Sequence, residues 1–317
     1  METILVTGAA GFIGSNLVAN LLARGYRVAG VDNFDDTYDP KLKESQIAPF
    51  LNNGNFALYR TDIRDLNALR EVFQKERPAR VAHLAAKADT RRAVKEPRIY
   101  LEVNMDGTLN VLELCREFEV TMLAIASSGS VYGNNPNTPW KEDERTDFPL
   151  SAYGVTKKAT EMLAYTYHHN FGMHIVCLRY FNVYGENNRP SMVPYKWAEA
   201  FLKNTEIEMS GEGTRKRDFT YVGDVAEATA LALESGLEYE VINIADSKPH
   251  SLNDLFAVFE KVTGTTPPVR KRESHAASVV EMYADASKAK ELLGWEPKVF
   301  LEEGIARLVA WFKANRL

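Results

Sequence analysis

Tyr153 and Lys157 stand four residues apart in Tyr153-Gly-Val-Thr-Lys157, near the start of a segment patterned as a helix from about Ala152 to Phe171. That separation puts a phenol and an ammonium on one helical face. A free phenol titrates near ~10 and is a poor base at neutral pH, but a neighbouring cation favours its phenolate. Such a pair can serve as a general base. The spacing by itself arises readily in any amphipathic helix, so its position matters more than its occurrence. It follows a β-type run, Thr121 to Ala126, whose end carries Ser127-Ser128-Gly129-Ser130-Val131-Tyr132-Gly133. Hydroxyls placed there either converge at the carboxyl edge of a sheet, where open α/β folds bind ligands, or merely cap a turn.

A second arrangement begins the chain. Thr7-Gly8-Ala9-Ala10-Gly11-Phe12-Ile13-Gly14 follows the β-type run Thr3 to Thr7 and leads into an amphipathic stretch, Ile13 to Arg24. At this spacing Gly8 permits a tight turn, Gly11 lets backbone approach a pyrophosphate, and Gly14 lets helix pack on strand. The helix start offers free N–H groups and a positive dipole, with Ala10, Phe12 and Ile13 as the other contacts of the loop. Asp32 closes the next β-run, 18 residues past Gly14. A carboxylate there can accept hydrogen bonds from both adenosine ribose hydroxyls and would repel a 2′-phosphate; otherwise it is a solvated turn residue followed by Asn33. The dinucleotide reading expects NAD over NADP, with Asp62 and Ile63 bordering the adenine. A nicotinamide cation would add to the pull of Lys157 on the Tyr153 proton.

These residues need a scaffold. Arg27 to Val31, Phe56 to Tyr59, Arg80 to Leu84, Thr121 to Ala126 and His174 to Arg179 are strand-like, and helical patterns lie between them, at Leu66 to Lys75 and near Tyr100 to Phe118. This alternation predicts an α/β protein with a Rossmann-like, doubly wound parallel sheet and a smaller, interleaved C-terminal α/β lobe for substrate. Residues 1–178 form the NAD-binding part, 218–245 return to it, and 179–317 mainly build the other lobe. Strands are expected at Asp218 to Tyr221 and Val241 to Ala245, with helices at Asp224 to Leu233 and starting near Leu252, Ser287 and Glu303.

The composition limits the function classes. A chain of 317 residues, 45% hydrophobic, can bury a large core, and a net charge of −5 argues against a broad nucleic-acid or anionic-membrane surface. No apolar run approaches ~20 residues and no leader precedes the first strand, so a cytoplasmic protein is expected. Cys115 and Cys177 lie in apolar stretches without ligand spacing and read as buried, unpaired thiols. His83 reads as a packed core residue and His168 and His169 as surface or interface positions, so no metal site is expected.

The order of TGAAGFIG, HLAAKA, SSGSVYG, YGVTK, LRYFNVYG and RDFTYVGDV resembles the extended short-chain dehydrogenase/reductase family, specifically its nucleotide-sugar 4-epimerases, over essentially the whole chain. The resemblance implies that Ser128, 25 residues before Tyr153, is a catalytic hydroxyl beside Tyr153 and Lys157. Lys157 also binds the nicotinamide ribose, while Leu84, Ala85, Ala86, Asn104, Tyr180 and Val183 line the cofactor. Related dehydratases and decarboxylases place acidic residues immediately before the VYG segment. Gly129 and Ser130 occupy those positions here, which favours epimerisation.

Asp32 to Lys43 and Val183 to Met192 resemble UDP-glucuronate 4-epimerases. Arg189 is then the candidate partner of a uronate carboxylate, with Arg91 a second candidate and Ser127, Ser128 and Ser130 completing the shell. Asn182 and Arg217 match positions that hold a UDP diphosphate, and Val193 lies at the same site. Where relatives commonly read Arg-Pro-Gly-Asp, this chain has His275-Ala276-Ala277-Ser278, leaving His275, Arg270 or Arg272 as possible substitutes. UDP-glucose or UDP-N-acetylglucosamine 4-epimerase is the alternative; a dehydratase, a net NAD(H) reductase and a non-catalytic scaffold rank behind it. A homodimer built on the helices carrying Val103 to Glu117 and Tyr153 to His168 is also implied.

Overall fold

A computed structural model describes residues 1–273 and 281–316. The first half runs β1 (Thr3–Thr7), α1 (Phe12–Ala23), β2 (Arg27–Val31), α2 (Pro40–Ile47), β3 (Phe56–Tyr59), α3 (Leu66–Glu76) and β4 (Arg80–His83). It continues with α4 (Thr90–Lys95), α5 (Pro97–Leu101), α6 (Gly107–Glu117), β5 (Met122–Ser128), α7 (Ala152–Phe171) and β6 (Ile175–Tyr180). After these come α8 (Val193–Lys203), β7 (Ile207–Ser210), β8 (Lys216–Asp218), α9 (Val222–Glu234), β9 (Tyr239–Ile244) and β10 (Pro249–Ser251). The chain closes with α10 (Leu252–Thr263), β11 (Val269–Arg272), β12 (Glu281–Met282), α11 (Ser287–Leu293) and α12 (Leu301–Arg316).

Seven strands form one sheet in the order β3-β2-β1-β4-β5-β6-β9, with every pairing parallel. Parallel strands buried on both faces need apolar residues at successive positions. Accordingly, all five residues of β1 and all six of β6 are buried. Ile4 and Val6 face one core with Leu17, Val18 and Leu21 of α1, while Leu5 faces the opposite core with Leu69 and Phe73 of α3 and Val111 of α6. Strand order reverses between β1 and β4, opening a crevice at their carboxyl ends. The sheet is thus the doubly wound parallel sheet expected from the sequence.

Beyond β6 the structure departs from the simple alternation. β9 returns to the large sheet, but β8 joins a small sheet with β10 and β12, and β7 pairs with β11. The expected strand at Asp218 to Tyr221 is displaced toward the N-terminus. Asp218 accepts backbone N–H groups of Asp246 and Ser247 at 2.8 and 3.1 Å, and Phe219 to Tyr221 form the connection to α9, with Tyr221 as its N-cap. The single helix expected near Tyr100 to Phe118 is divided by a wide π turn at Glu102–Asp106, where Thr108 Oγ1 donates to the Asn104 carbonyl at 2.6 Å. Among the described residues, no helix is long and apolar enough to cross a membrane.

Candidate active site

Backbone shapes the cavity at the β1–α1 junction. Gly8 adopts φ +72°, and a Cβ there would lie 2.8 Å from the Ala85 nitrogen. A Cβ on Gly14 would stand 1.9 Å from the Gly8 carbonyl oxygen, so a side chain would force the loop off the helix. Gly11 forms the N-cap of α1 with no side-chain cap, leaving the first turn's N–H groups to a ligand. Gly8, Gly11, Phe12, Ile13 and Gly14 all line the cavity. Ala10 contributes differently, because its N–H donates to Asp32 Oδ2 at 3.1 Å.

Asp32 directly follows β2 at the cavity wall, with the Phe34 N–H donating to its other oxygen at 2.8 Å. Burial raises its pKa, against the pull of Lys43 and these two backbone donors. Next to it, Asn33 Nδ2 donates to Asp62 Oδ2 at 2.8 Å. The Arg64 guanidinium holds the Asp62 carboxyl down to about 2. Asn33, Asp62 and Ile63 therefore share one rim with Asp32, and Leu84, Ala85 and Ala86 form the facing wall after β4. Sequence reasoning missed the ion pairs that join these walls. Burial alone would raise the pKa of Asp35, but Lys43, 2.6 Å away on α2, and Lys87, in the loop after β4, hold it far below the carboxylate range. Lys87 Nζ also donates to Thr37 Oγ1 at 2.8 Å.

At the end of β5 the three chemical residues meet. Tyr153, in the first turn of α7, is buried beside Ser128, whose hydroxyl donates to Ser130 Oγ at 3.1 Å. Lys157, one turn further along α7, donates Nζ to the Ala126 carbonyl at 2.6 Å. Burial lowers its pKa to about 8. The pKa of the phenol itself is raised by burial, which outweighs the pull of the neighbouring Ser128 hydroxyl and of the Arg189 charge. The expected activation of Tyr153 by Lys157 is thus not a property of the protein alone: a buried phenol loses more solvation than its neighbours return.

The remaining site residues divide. Tyr180, Asn182, Val183 and Arg189 line the same cavity of about 600 Å³ as Tyr153 and Ser128. Asn104 does not: it is buried behind the wall, where its side chain accepts the Lys87 N–H at 2.8 Å and donates to the Lys87 carbonyl and to Thr156 Oγ1, both at 3.0 Å. Ser127 offers the cavity no hydroxyl, since its Oγ donates inward to Glu161 at 2.6 Å within a buried pair with Arg179. Arg91 is exposed on α4, and its neighbours Thr90 and Arg92 line the cavity instead. Val193 begins α8 and packs against the core, with Met192 at the wall. Arg217 lies on β8, outside the cavity lining, and donates to the Lys216 carbonyl at 2.6 Å. Arg270 and Arg272 lie on β11, and Arg270 pairs with Glu206 and Glu208 at 2.9 and 2.6 Å. His275 to Ser278 fall outside the described residues.

The family model described as GDP-mannose 4,6-dehydratase matches residues 5–308. A UDP-glucuronate 4-epimerase of Thermodesulfobacterium geofontis is 42% identical over 317 residues, spanning 99% of this chain and 97% of the relative. Two solved structures each superpose with a TM-score of 0.92 and cover 99% of both chains. One is UDP-glucuronic acid 4-epimerase from Bacillus cereus in complex with UDP-glucuronic acid and NAD, at 36% identity. The other is UDP-glucose 4-epimerase from Thermotoga maritima with UDP-glucose, at 35%. The chain belongs to the GDP-mannose 4,6-dehydratase family of extended short-chain dehydrogenases.

Proposed function

We propose that this chain is an NAD-dependent UDP-sugar 4-epimerase acting on UDP-glucuronate, interconverting it with UDP-galacturonate through a 4-keto intermediate. The observation that carries the reading is the presence of Arg189 in one cavity with Tyr153 and Ser128, close enough for its charge to act on the phenol. A guanidinium there gives a uronate carboxylate a forked partner beside the reacting carbon. The glycine cradle and the paired carboxylate of Asp32 suit a dinucleotide, and the cited Bacillus cereus relative is crystallised with NAD.

In this reading Gly8 to Gly14 receive the pyrophosphate, Asp32 and Asn33 the adenosine ribose, Asp62 and Ile63 the adenine, and Leu84 to Ala86, Tyr180 and Val183 enclose the rest. Asn182 serves the diphosphate. Residues 1–178 with most of 218–245 hold the dinucleotide, and 179–217 with the C-terminal part hold the nucleotide sugar. NAD, when bound, supplies a hydride acceptor at C4 that returns the hydride to either face. Tyr153 takes the proton of the sugar 4-hydroxyl, Ser128 holds that oxygen, and Lys157 leaves the Ala126 carbonyl to bind ribose and stabilise the phenolate. The carboxylates of the cavity wall, Asp32, Asp35, Asp36 and Asp62, all follow β2 or β3, at the adenosine end. With Gly129 and Ser130 near the sugar, no carboxylate of the described lining stands there to drive elimination. Exposed Leu101 on α5, Leu109 on α6, and Val155 and Met162 on α7 suit a homodimer. Two unpaired thiols and a nucleotide-sugar substrate suit the cytoplasm.

Incubation with UDP-glucuronate, UDP-glucose and UDP-N-acetylglucosamine separately, without added NAD, tests this by NMR of the products. Conversion of UDP-glucuronate alone is expected. Conversion of only a neutral sugar would favour the UDP-glucose reading, which the Thermotoga maritima structure supports. Net NADH formation would refute epimerisation.

A further inference from the structure

The loop that presents Arg189 is fastened to the cofactor side of the molecule by side chains that the proposed chemistry does not use. Asn187 holds a left-handed backbone, φ +64°. Its Nδ2 donates to Ser15 Oγ at 3.1 Å, and its carbonyl accepts Gln46 Nε2 of α2 at 3.0 Å. One residue earlier, the Glu186 carbonyl accepts Asn16 Nδ2 at 3.2 Å, and its carboxylate accepts the Tyr221 hydroxyl at 2.8 and 2.9 Å. Ser15 and Asn16 both donate also to the Phe12 carbonyl, at 3.2 and 2.9 Å. One residue later, Asn188 is buried and its Oδ1 accepts the Arg189 N–H at 2.8 Å.

We propose that Asn187, through Ser15 and Gln46, is a specificity-positioning residue that indexes the Arg189 guanidinium to the cofactor helix. The inference rests on the reading of Arg189 as the carboxylate partner. Forked recognition of a carboxylate tolerates displacement of only ~0.5 Å, and a long side chain on an untethered loop cannot hold that tolerance. Here the backbone two residues before the guanidinium's own is tied to α1 and α2, the elements that also frame the dinucleotide cradle and Asp32. A sugar's acidic substituent is thereby gripped at a fixed distance from the carbon that exchanges hydride. A neutral sugar lacks the group that Arg189 grips and is indifferent to the tether.

The test compares NAD-loaded Asn187→Gly, Ser15→Ala and Arg189→Met. Glycine keeps the left-handed conformation accessible and removes only the side-chain bond; Ser15→Ala removes the same bond from the helix side should the first variant fail to fold. KM and kcat for UDP-glucuronate, the inhibition constant of UDP-glucose and NAD content per chain are measured. Asn187→Gly and Ser15→Ala should each raise KM for UDP-glucuronate ~3- to 10-fold, with kcat within about twofold and the UDP-glucose constant unmoved. Arg189→Met should raise it further. An unchanged KM in both tether variants, with a raised one in Arg189→Met, overturns the positioning role and leaves the Arg189 reading intact. Equal weakening of both sugars also overturns it, since that is the signature of general loosening. An unchanged KM in Arg189→Met overturns the reading of that arginine, and the inference falls with it.

Discussion

Where β1 passes into α1, the cavity wall is backbone, and a single added Cβ on Gly14 would collide at 1.9 Å with another stretch of backbone. Across the cavity, beyond β6, the wall is a loop from Asn182 to Met192 whose position is set by side chains of α1, α2 and Tyr221, the N-cap of α9. The first wall is specified by residues adjacent in sequence, the second by partners 141 and 172 residues away. A receptor made from a strand–helix junction is general for dinucleotides. One made from long side chains on a tethered loop can be retuned for different sugars by changing few residues.

The largest expected effect separates chemistry from both walls. Tyr153→Phe removes the titratable oxygen and little else, so kcat should fall ~10²- to 10⁴-fold while NAD content stays that of the parent, as read by turnover and by the nucleotide released on denaturation. Loss of NAD in that variant would mean that the phenol is part of the cradle. Gly14→Ala strikes the backbone wall and should cost ~1–3 kcal/mol of stability and most of the bound NAD. A fully loaded, equally stable Gly14→Ala protein would show that this wall yields as readily as the other.

The two regions also differ in how they treat buried charge. Just past β2, Asp32 and Asp35 have hydrogen-bonded partners, whereas Asp246, just past β9, is buried with neither carboxylate oxygen partnered among the described residues. Burial raises its pKa to about 6. The folded state therefore binds the proton more tightly than the unfolded chain, and this contribution to stability is full below ~4 and lost as pH rises through about 6. Asp246→Asn should accordingly stabilise the protein at pH 8 by on the order of 2 kcal/mol and little at pH 4, measured by urea unfolding at both. A variant destabilised at pH 8 would mean that the Lys248 charge outweighs the cost of burying the carboxylate. The smallest effect belongs to Ser127→Ala, which should cost ~1 kcal/mol of stability and leave KM unchanged, because that hydroxyl serves Glu161. A raised KM would return Ser127 to the sugar's shell.

Sequence made the first wall legible because Gly8, Gly11 and Gly14 act within one turn of chain, and Tyr153 and Lys157 act within one turn of helix. Asp32 could be located because the length of a strand–helix–strand unit fixes where the second strand ends. Lys43 and Lys87 carried no such signal. Their meeting at Asp35 depends on β2 and β4 flanking β1, a fact of topology that local spacing does not record. Ser127 lines the cavity, but the role of its hydroxyl was hidden for a similar reason: it turns toward Glu161, whose pairing with Arg179 joins β6 to α7. The resemblance alone places Asn104 at the cofactor, and its amide is occupied in holding the Lys87 backbone that lines the wall.

Both oxygens of Asp32 are already engaged, one by the Ala10 N–H and one by the Phe34 N–H. The rotamer of that carboxylate is consequently decided when the chain folds, before any ligand arrives. The lone pairs it keeps point in fixed directions, so on the proposed reading a ribose would meet a ready-made receptor and its association would carry little ordering entropy. Such rigidity slows escape as well as easing capture, and it suits a nucleotide treated as a resident part of the protein rather than as a visitor in each catalytic cycle.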